Sequence, residues 1–325
     1  MGDDIRTVAV VGAGIMGHGI AQVLAAAGRT VLLADRDLAT AEAGRRAVEQ
    51  DLESLAAAGH GDDAGAAATL ARIAPVAAIA EAVADADLVV EAVPEVMTVK
   101  RTVWEEVSAT AREDALLATN TSSFDVDALA AAVTAPARFL GTHWYNPPYL
   151  VPCVEVVRGS ATEVAAVERV VALLTAAGKL PVPAANTAGF VGNRLQFALV
   201  AEAFRCLEDG VATAADIDLI VTTSFGMRLA EYGPFQLADM GGLDTYQSIL
   251  RYLAEHLGPR FTPPGRLEAL VAQGRLGTKT TSGVYDYTED EAARLRADRD
   301  RRLARRLADW SPPARGAAGG GPHIG

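Results

Sequence analysis

The chain begins with a short run of β-branched and small apolar residues, Thr7-Val8-Ala9-Val10-Val11, which stops at glycine and gives way to helical spacing from Met16 to Ala27. This pattern predicts a strand, a tight turn and a helix. Gly28 stands where a helix would close, and Thr30 to Ala34 reads as a second buried strand ending at Asp35. Leu38 to Ala58 returns to helical spacing, and the polar, glycine-rich stretch from Gly59 to Gly65 predicts a surface link to another helix. Further along, Leu88 to Val90, Leu116 to Thr119, Phe139 to Thr142, Val154 to Val157 and Leu180 to Val182 are apolar runs of strand length, separated by alanine-rich helical stretches. Thr162 is expected to cap the helix that runs to about Ala177. Alternation of this kind predicts an α/β fold with a mostly parallel sheet covered by helices.

The character changes near Thr187. Phe190 to Glu208, Ala214 to Thr223, Gly242 to Leu257 and Pro264 to Gln273 all carry helical spacing with few strand signals between them, so an all-α second domain is expected. Glu289 to Trp310 interleaves Arg with Asp and Glu along a charged helix, and the final Gly, Pro and Ala residues predict disorder. The domains are therefore expected at 1–186, 187–290 and 291–325. A length of 325 residues, half of them apolar, is enough for two cores.

Charge narrows the function. Lys and Arg total 29 against 41 Asp and Glu, a net charge of -12, which argues against nucleic acid or an anionic membrane surface as partner. Any bound phosphate needs a local site. Cys153 and Cys206 are not spaced as a zinc or redox pair and read as two small buried hydrophobes; no metal is expected. Asp3, Asp4 and Arg6 run directly into the first strand and no apolar run is long enough to span a bilayer, so a cytoplasmic protein is expected.

The first turn supplies the local site. Gly12-Ala13-Gly14-Ile15-Met16-Gly17 is a GxGxxG between a predicted strand and helix. Gly12 permits the tight turn, Gly14 the approach of a pyrophosphate and Gly17 close helix packing, with the helix N-terminus facing the anion. Asp35, eighteen positions beyond Gly17, sits where a carboxylate accepts hydrogen bonds from ribose hydroxyls and repels a 2′-phosphate, which favours NAD over NADP despite the adjacent Arg36.

Four more segments place polar groups at the ends of apolar elements: Asn120 to Ser123, His143 to Pro148, Val154 to Val157 and Gly189 to Arg194. Taken singly, Ser122 reads as a helix cap, His143 as a satisfied core histidine and Asn193 as another cap. Together they read as a site, because the carboxyl ends of parallel strands line the ligand crevice. Glu155 is an acid inside an apolar strand, and a buried acid needs a partner; His143, one strand upstream, is the candidate. The carboxylate would fix the imidazole tautomer and stabilise the imidazolium after proton capture.

From Val8 to about Tyr287 the chain resembles the L-3-hydroxyacyl-CoA dehydrogenase family. The resemblance rests on GAGIMG, EAVPE (Glu91 to Glu95), NTSS, HWYNPP, VEVV, GFVGNR, GPFQLADMGGLD (Gly233 to Asp244) and GRLGTKTTSGVYDY (Gly274 to Tyr287). It implies a Rossmann-like domain, a helical domain that makes a homodimer, and NAD as hydride acceptor. It implies His143 and Glu155 as the catalytic pair, with Ser122 and Asn193 on the substrate oxygen. It further places Ile15, Met16, Ala92, Glu95, Lys100, Ser122, Asn146 and Lys279 at the cofactor, beside Gly12, Gly14, Gly17 and Asp35.

The chain departs from the family's coenzyme A enzymes at Asp51, sixteen positions after Asp35, where a serine would stand, and at Ala58, where a lysine follows. An acid beside a phosphate is unfavourable unless a cation offsets it; Arg45 and Arg46 are candidates. The loop Tyr149-Leu150-Val151-Pro152-Cys153 also lacks the usual lysine. Two catalytic readings follow, one for a 3-hydroxyacyl-CoA and one for a free hydroxy acid, an aromatic alcohol or aldehyde, or a carrier-bound acyl group. A non-catalytic NAD sensor ranks last, having no use for Ser122, His143, Glu155 and Asn193.

Overall fold

The computed structural model describes residues 5–310; the expected disordered tail and the acids at positions 3 and 4 lie outside the described residues. The described chain divides into two compact units, one ending at Leu199 and the other beginning at Val200.

The first unit is a single sheet. Its strands are β1 (Thr7–Val11), β2 (Thr30–Ala34), β3 (Ile73–Val76), β4 (Leu88–Glu91), β5 (Leu116–Thr119), β6 (Phe139–Trp144), β7 (Cys153–Arg158) and β8 (Leu180–Ala185). They lie in the order β3-β2-β1-β4-β5-β6-β7-β8. All neighbours are parallel except β6 and β7, which are antiparallel. The reason is the short connection: eight residues, Tyr145 to Pro152, separate these strands, too few for a parallel crossover. The order reverses between β1 and β4, which opens a crevice at the strands' carboxyl ends.

Helices cover both faces: α1 (Ile15–Ala26), α2 (Leu38–Ala57), α3 (Asp63–Leu70), α4 (Ile79–Val83), α5 (Met97–Thr110), α6 (Val126–Ala130) and α7 (Val164–Ala176). Successive residues of β1 serve opposite layers. Val8 and Val10 join Ile20, Leu24, Val170 and Leu173 in one core, while Ala9 and Val11 join Trp104, Val107, Leu129 and Phe139 in the other. Trp104 and Phe139 meet edge to face with centroids 4.9 Å apart.

Three local expectations change. The spacing gave no sign of β3, because Pro75 interrupts its four residues; an edge position tolerates the missing donor. Thr162 caps no helix. Its buried hydroxyl donates to the Phe139 carbonyl and accepts from the Gly159 N–H at 3.0 Å, and α7 begins without a side-chain cap. Cys153 and Cys206 are free thiols, both partly exposed rather than buried.

A helix α8 (Gly192–Glu208) carries the chain across the division, followed by α9 (Ala214–Thr223), α10 (Phe225–Leu229), α11 (Pro234–Gly241), α12 (Leu243–Leu257), α13 (Gly265–Ala272) and α14 (Glu289–Asp309). The second unit has a small core of Ala238, Leu243 and Leu270. Asp239 on α11 is fully buried and accepts from the N–H groups of Val284 and Tyr285 and from the Tyr287 hydroxyl at 2.9 to 3.0 Å. A side chain at Gly277 would strike the Asp239 carbonyl at 2.1 Å. Much of the GRLGTKTTSGVYDY run thus serves to wrap a loop around one buried carboxylate. No helix among the described residues is long and apolar enough to cross a membrane.

Candidate active site

The dinucleotide turn is built by close approach. Gly12 has φ +103°, and a Cβ there would lie 2.6 Å from the Ala92 carbonyl group. A Cβ at Gly17 would lie 1.6 Å from the Gly12 carbonyl oxygen, so α1 can reach the turn only with glycine at that position. Gly14, by contrast, faces open space. Beyond it α1 starts without a side-chain cap and without an acid in its first turn, which leaves its N–H groups to an anion. Ile15 is 69 % exposed beside them, Met16 packs partly against the core, and Ala92 closes the turn's floor. Asp35, at the end of β2, is held by the N–H groups of Ala13 at 2.6 Å and Arg36 at 2.7 Å, and each oxygen keeps a lone pair. Open glycine, uncapped helix and oriented carboxylate fit a dinucleotide with free ribose hydroxyls.

Neither arginine pairs with Asp51. Arg45 donates to the carbonyls of Ile73 and Leu70, and Arg46 lies exposed beside Glu42. His18 contacts it instead: Nε2 is 3.1 Å from Asp51 Oδ2 while Nδ1 is 2.8 Å from the Gly14 carbonyl. One ring thus links the turn before α1 to α2. Burial, and then the nearby Asp51 carboxylate, push the ionisation of the Tyr149 phenol up.

The EAVPE and NTSS segments form one hydrogen-bonded block. Glu91, fully buried, accepts from Lys100 Nζ at 2.7 Å, the Thr119 hydroxyl at 2.6 Å and the Val93 N–H at 2.9 Å. Glu95 Oε1 gathers the Thr121 hydroxyl at 2.6 Å and the N–H groups of Ser122 and Ser123 at 2.9 and 3.0 Å, with Lys100 Nζ 3.3 Å from its other oxygen. Burial pushes the Glu95 carboxyl up, but these bonds and the Lys100 charge outweigh it and hold the group ionised below its ordinary range. Lys100 has no exposed surface, and two carboxylates bind its charge. Its effect on the site passes through Glu95 to the backbone of Ser122.

The antiparallel pairing sets His143 directly opposite Glu155. Both are about 97 % buried, and His143 Nδ1 lies 2.7 Å from Glu155 Oε2. The Tyr145 hydroxyl donates to the same oxygen at 2.8 Å, and its ring lies 4.7 Å from the imidazole. The other oxygen accepts from the N–H groups of Val191 and Gly192, at 2.9 and 3.1 Å, where α8 begins. These donors point inward because Gly189 and Phe190 both take positive φ, 71° and 48°; for phenylalanine this is a strained conformation, placed at the site. Burial alone would raise the Glu155 carboxyl, but the bonds from His143, Tyr145, Gly192 and Val191 prevail and hold it below its ordinary value. Nδ1 thus carries a proton for a carboxylate, and Nε2, with no hydrogen-bond partner among the described residues, is left for a ligand.

Ser122 and Asn193 meet through one bond, Asn193 Nδ2 to the Ser122 carbonyl at 2.7 Å. The Asn120 side chain ties this loop to β6 by accepting from the Trp144 N–H at 3.1 Å. Asn146 is exposed, its peptide bond to Pro147 is cis, and its side chain makes no hydrogen bond among the described residues. Lys279 belongs to the second unit, where it pairs with Asp244 at 2.5 Å. Tyr145 and the N–H groups of Val191 and Gly192 were not assigned from the sequence. Tyr145 stands two positions after His143, the spacing that puts residues of an extended segment on one face, and that was the available signal.

The comparisons bear on this geometry. Residues 7–187 match the family model described as 3-hydroxyacyl-CoA dehydrogenase, NAD binding domain, and residues 189–287 the C-terminal domain of the same family. The mitochondrial hydroxyacyl-coenzyme A dehydrogenase of Sus scrofa is 36 % identical over 87 % of this chain and 91 % of its own length. The 5-formyl-3-hydroxy-2-methylpyridine 4-carboxylate 5-dehydrogenase of Mesorhizobium japonicum is 33 % identical over 92 % of this chain and 96 % of its own. Among solved structures, the 3-hydroxyacyl-CoA dehydrogenase of Archaeoglobus fulgidus covers 93 % of this chain and 99 % of its own at 31 % identity, with a TM-score of 0.76. The chain belongs to the 3-hydroxyacyl-CoA dehydrogenase family and is an NAD-dependent dehydrogenase acting on a CH–OH group.

Proposed function

We propose that the protein oxidises the secondary hydroxyl of an L-3-hydroxyacyl thioester to the 3-keto product, with His143 as base. The observation that carries this reading is the buried His143–Glu155 pair, in which an ionised carboxylate holds the Nδ1 proton and leaves Nε2 to take the hydroxyl proton. NAD, when bound, accepts the hydride from the carbinol carbon. Glu155 stays ionised and stabilises the imidazolium as the proton arrives. The Ser122 hydroxyl, with no internal partner among the described residues, donates to the substrate oxygen. Asn193, anchored on the Ser122 carbonyl, has a second N–H for the same purpose. Gly12, Gly14, Ile15, Met16, Gly17, Asp35 and Ala92 form the cofactor cradle, Asn146 borders it, and Glu95 and Lys100 position the Ser122 loop.

A second reading, a free hydroxy acid or aromatic alcohol as substrate, is favoured by Asp51. Its carboxylate, held by His18, is unfavourable beside a phosphate, and the Mesorhizobium relative is named for a pyridine carboxylate. In either reading we infer a homodimer, since Phe197, Phe204, Leu207 and Ile220 on α8 and α9 are all more than 40 % exposed.

The test is NADH formation from a panel that pairs each hydroxy acid with its coenzyme A thioester. Turnover confined to thioesters supports the first reading, and turnover confined to free compounds replaces it with the second. His143→Ala should lose about 10²- to 10⁴-fold in kcat while still binding NAD. Normal turnover by this variant would sink the assignment of the base.

A further inference from the structure

Glu155 receives two side-chain donors on one oxygen, and the second of them, Tyr145, occupies a space made for it. A Cβ added at Gly192 would lie 1.6 Å from the Tyr145 hydroxyl oxygen and 2.6 Å from the ring carbon that bears it, so the absence of a side chain at the start of α8 is what lets the phenol reach the carboxylate. The hydroxyl makes its 2.8 Å bond to Oε2, the oxygen that also faces His143 Nδ1 at 2.7 Å, while Oε1 is occupied by two backbone donors. Phenol and imidazole therefore draw on the same oxygen.

We propose that Tyr145 is a positioning residue for the dyad: by sharing Glu155 Oε2 with His143, it limits the carboxylate's pull on the Nδ1 proton and so sets the basicity of the imidazole. The inference rests on the reading of His143 as the base. Donors to a carboxylate spread its charge, and removing one leaves more for the partner that remains. The imidazolium then becomes easier to form. Tyr145 stays a phenol throughout, since burial and then the Glu155 hydrogen bond both push its own ionisation up.

Tyr145→Phe keeps the ring against His143 and removes only the hydroxyl. The readout is the NMR titration of the ring protons of the five histidines in the full-length protein, with the His143 signal identified by its loss in His143→Asn. In Tyr145→Phe the His143 midpoint should rise by about half a unit to one unit relative to the parent. Gly192→Ala, which pushes the hydroxyl away from Glu155, should move it in the same direction. A midpoint that is unchanged or lower in Tyr145→Phe overturns the proposal; a purely packing role for the tyrosine would give that result. The acid limb of kcat/KM for the best panel substrate should move with the NMR midpoint. Should the midpoint rise while the limb stays, His143 is not the group behind the limb, and the reading of the base falls instead of the role of Tyr145.

Discussion

At the scale of single residues, Glu155 has four donors converging on two oxygens, and only a carboxylate can accept from all of them. Glu155→Gln offers one acceptor oxygen, so at least two donors lose good partners and the imidazole tautomer is no longer enforced. The variant should fall by about two to four orders of magnitude in kcat. It should also change the dependence of stability on pH. The Glu155 carboxyl is lowered in the fold, so its contribution is complete above the unfolded value of about 4.3 and is lost as pH falls through the lower folded value. Urea midpoints of parent and variant should therefore converge between pH 7 and acid conditions, and a constant gap would contradict this. His143 and Glu155 were legible in the sequence because a buried acid demands a partner. Tyr145 was not, since an aromatic residue in a loop has many uses.

At the scale of elements, the direction of one strand decides the site. Had β7 run parallel to β6, its register would not have set Glu155 directly across from His143; the eight-residue loop enforces the reversal. On the other side of the crevice, β4, α5 and the loop after β5 are joined by Lys100, Glu91 and Glu95. Lys100→Ala would leave the fully buried Glu91 unpaired and should cost about 3 to 5 kcal/mol by urea unfolding. Lys100→Met, which fills the volume but keeps the unpaired acid, should rescue little of it. A variant within about 0.5 kcal/mol of the parent, the range of ordinary surface substitutions, would refute the ion pair's role. From spacing alone the depth of Lys100 was not legible, because it depends on which way α5 faces.

At the scale of the whole molecule, the chain carries a net charge of -12, yet it presents positive potential locally, at the uncapped N-terminus of α1. The row of exposed apolar side chains on α8 and α9 should be covered by a second copy. Sedimentation velocity should give twice the chain mass for the parent, and Phe204→Glu with Ile220→Glu should shift it toward the monomer. A monomeric parent at micromolar concentration, or a double variant of unchanged mass, would refute the homodimer.

The alternation of apolar runs with helical spacing determined the α/β class and the helical second unit, and GxGxxG with Asp35 determined the cofactor, because each depends on residues close together in the chain. The pairing of His143 with Glu155 was within reach for the same reason, twelve positions apart on neighbouring strands. Only the tertiary structure decided that Val191 and Gly192, 36 and 37 positions from Glu155, complete its shell, that Lys100 is sealed behind Ser122, and that His18 rather than an arginine answers Asp51. Those contacts join separate elements, and their geometry follows from strand direction, helix facing and backbone angles that local periodicity does not encode.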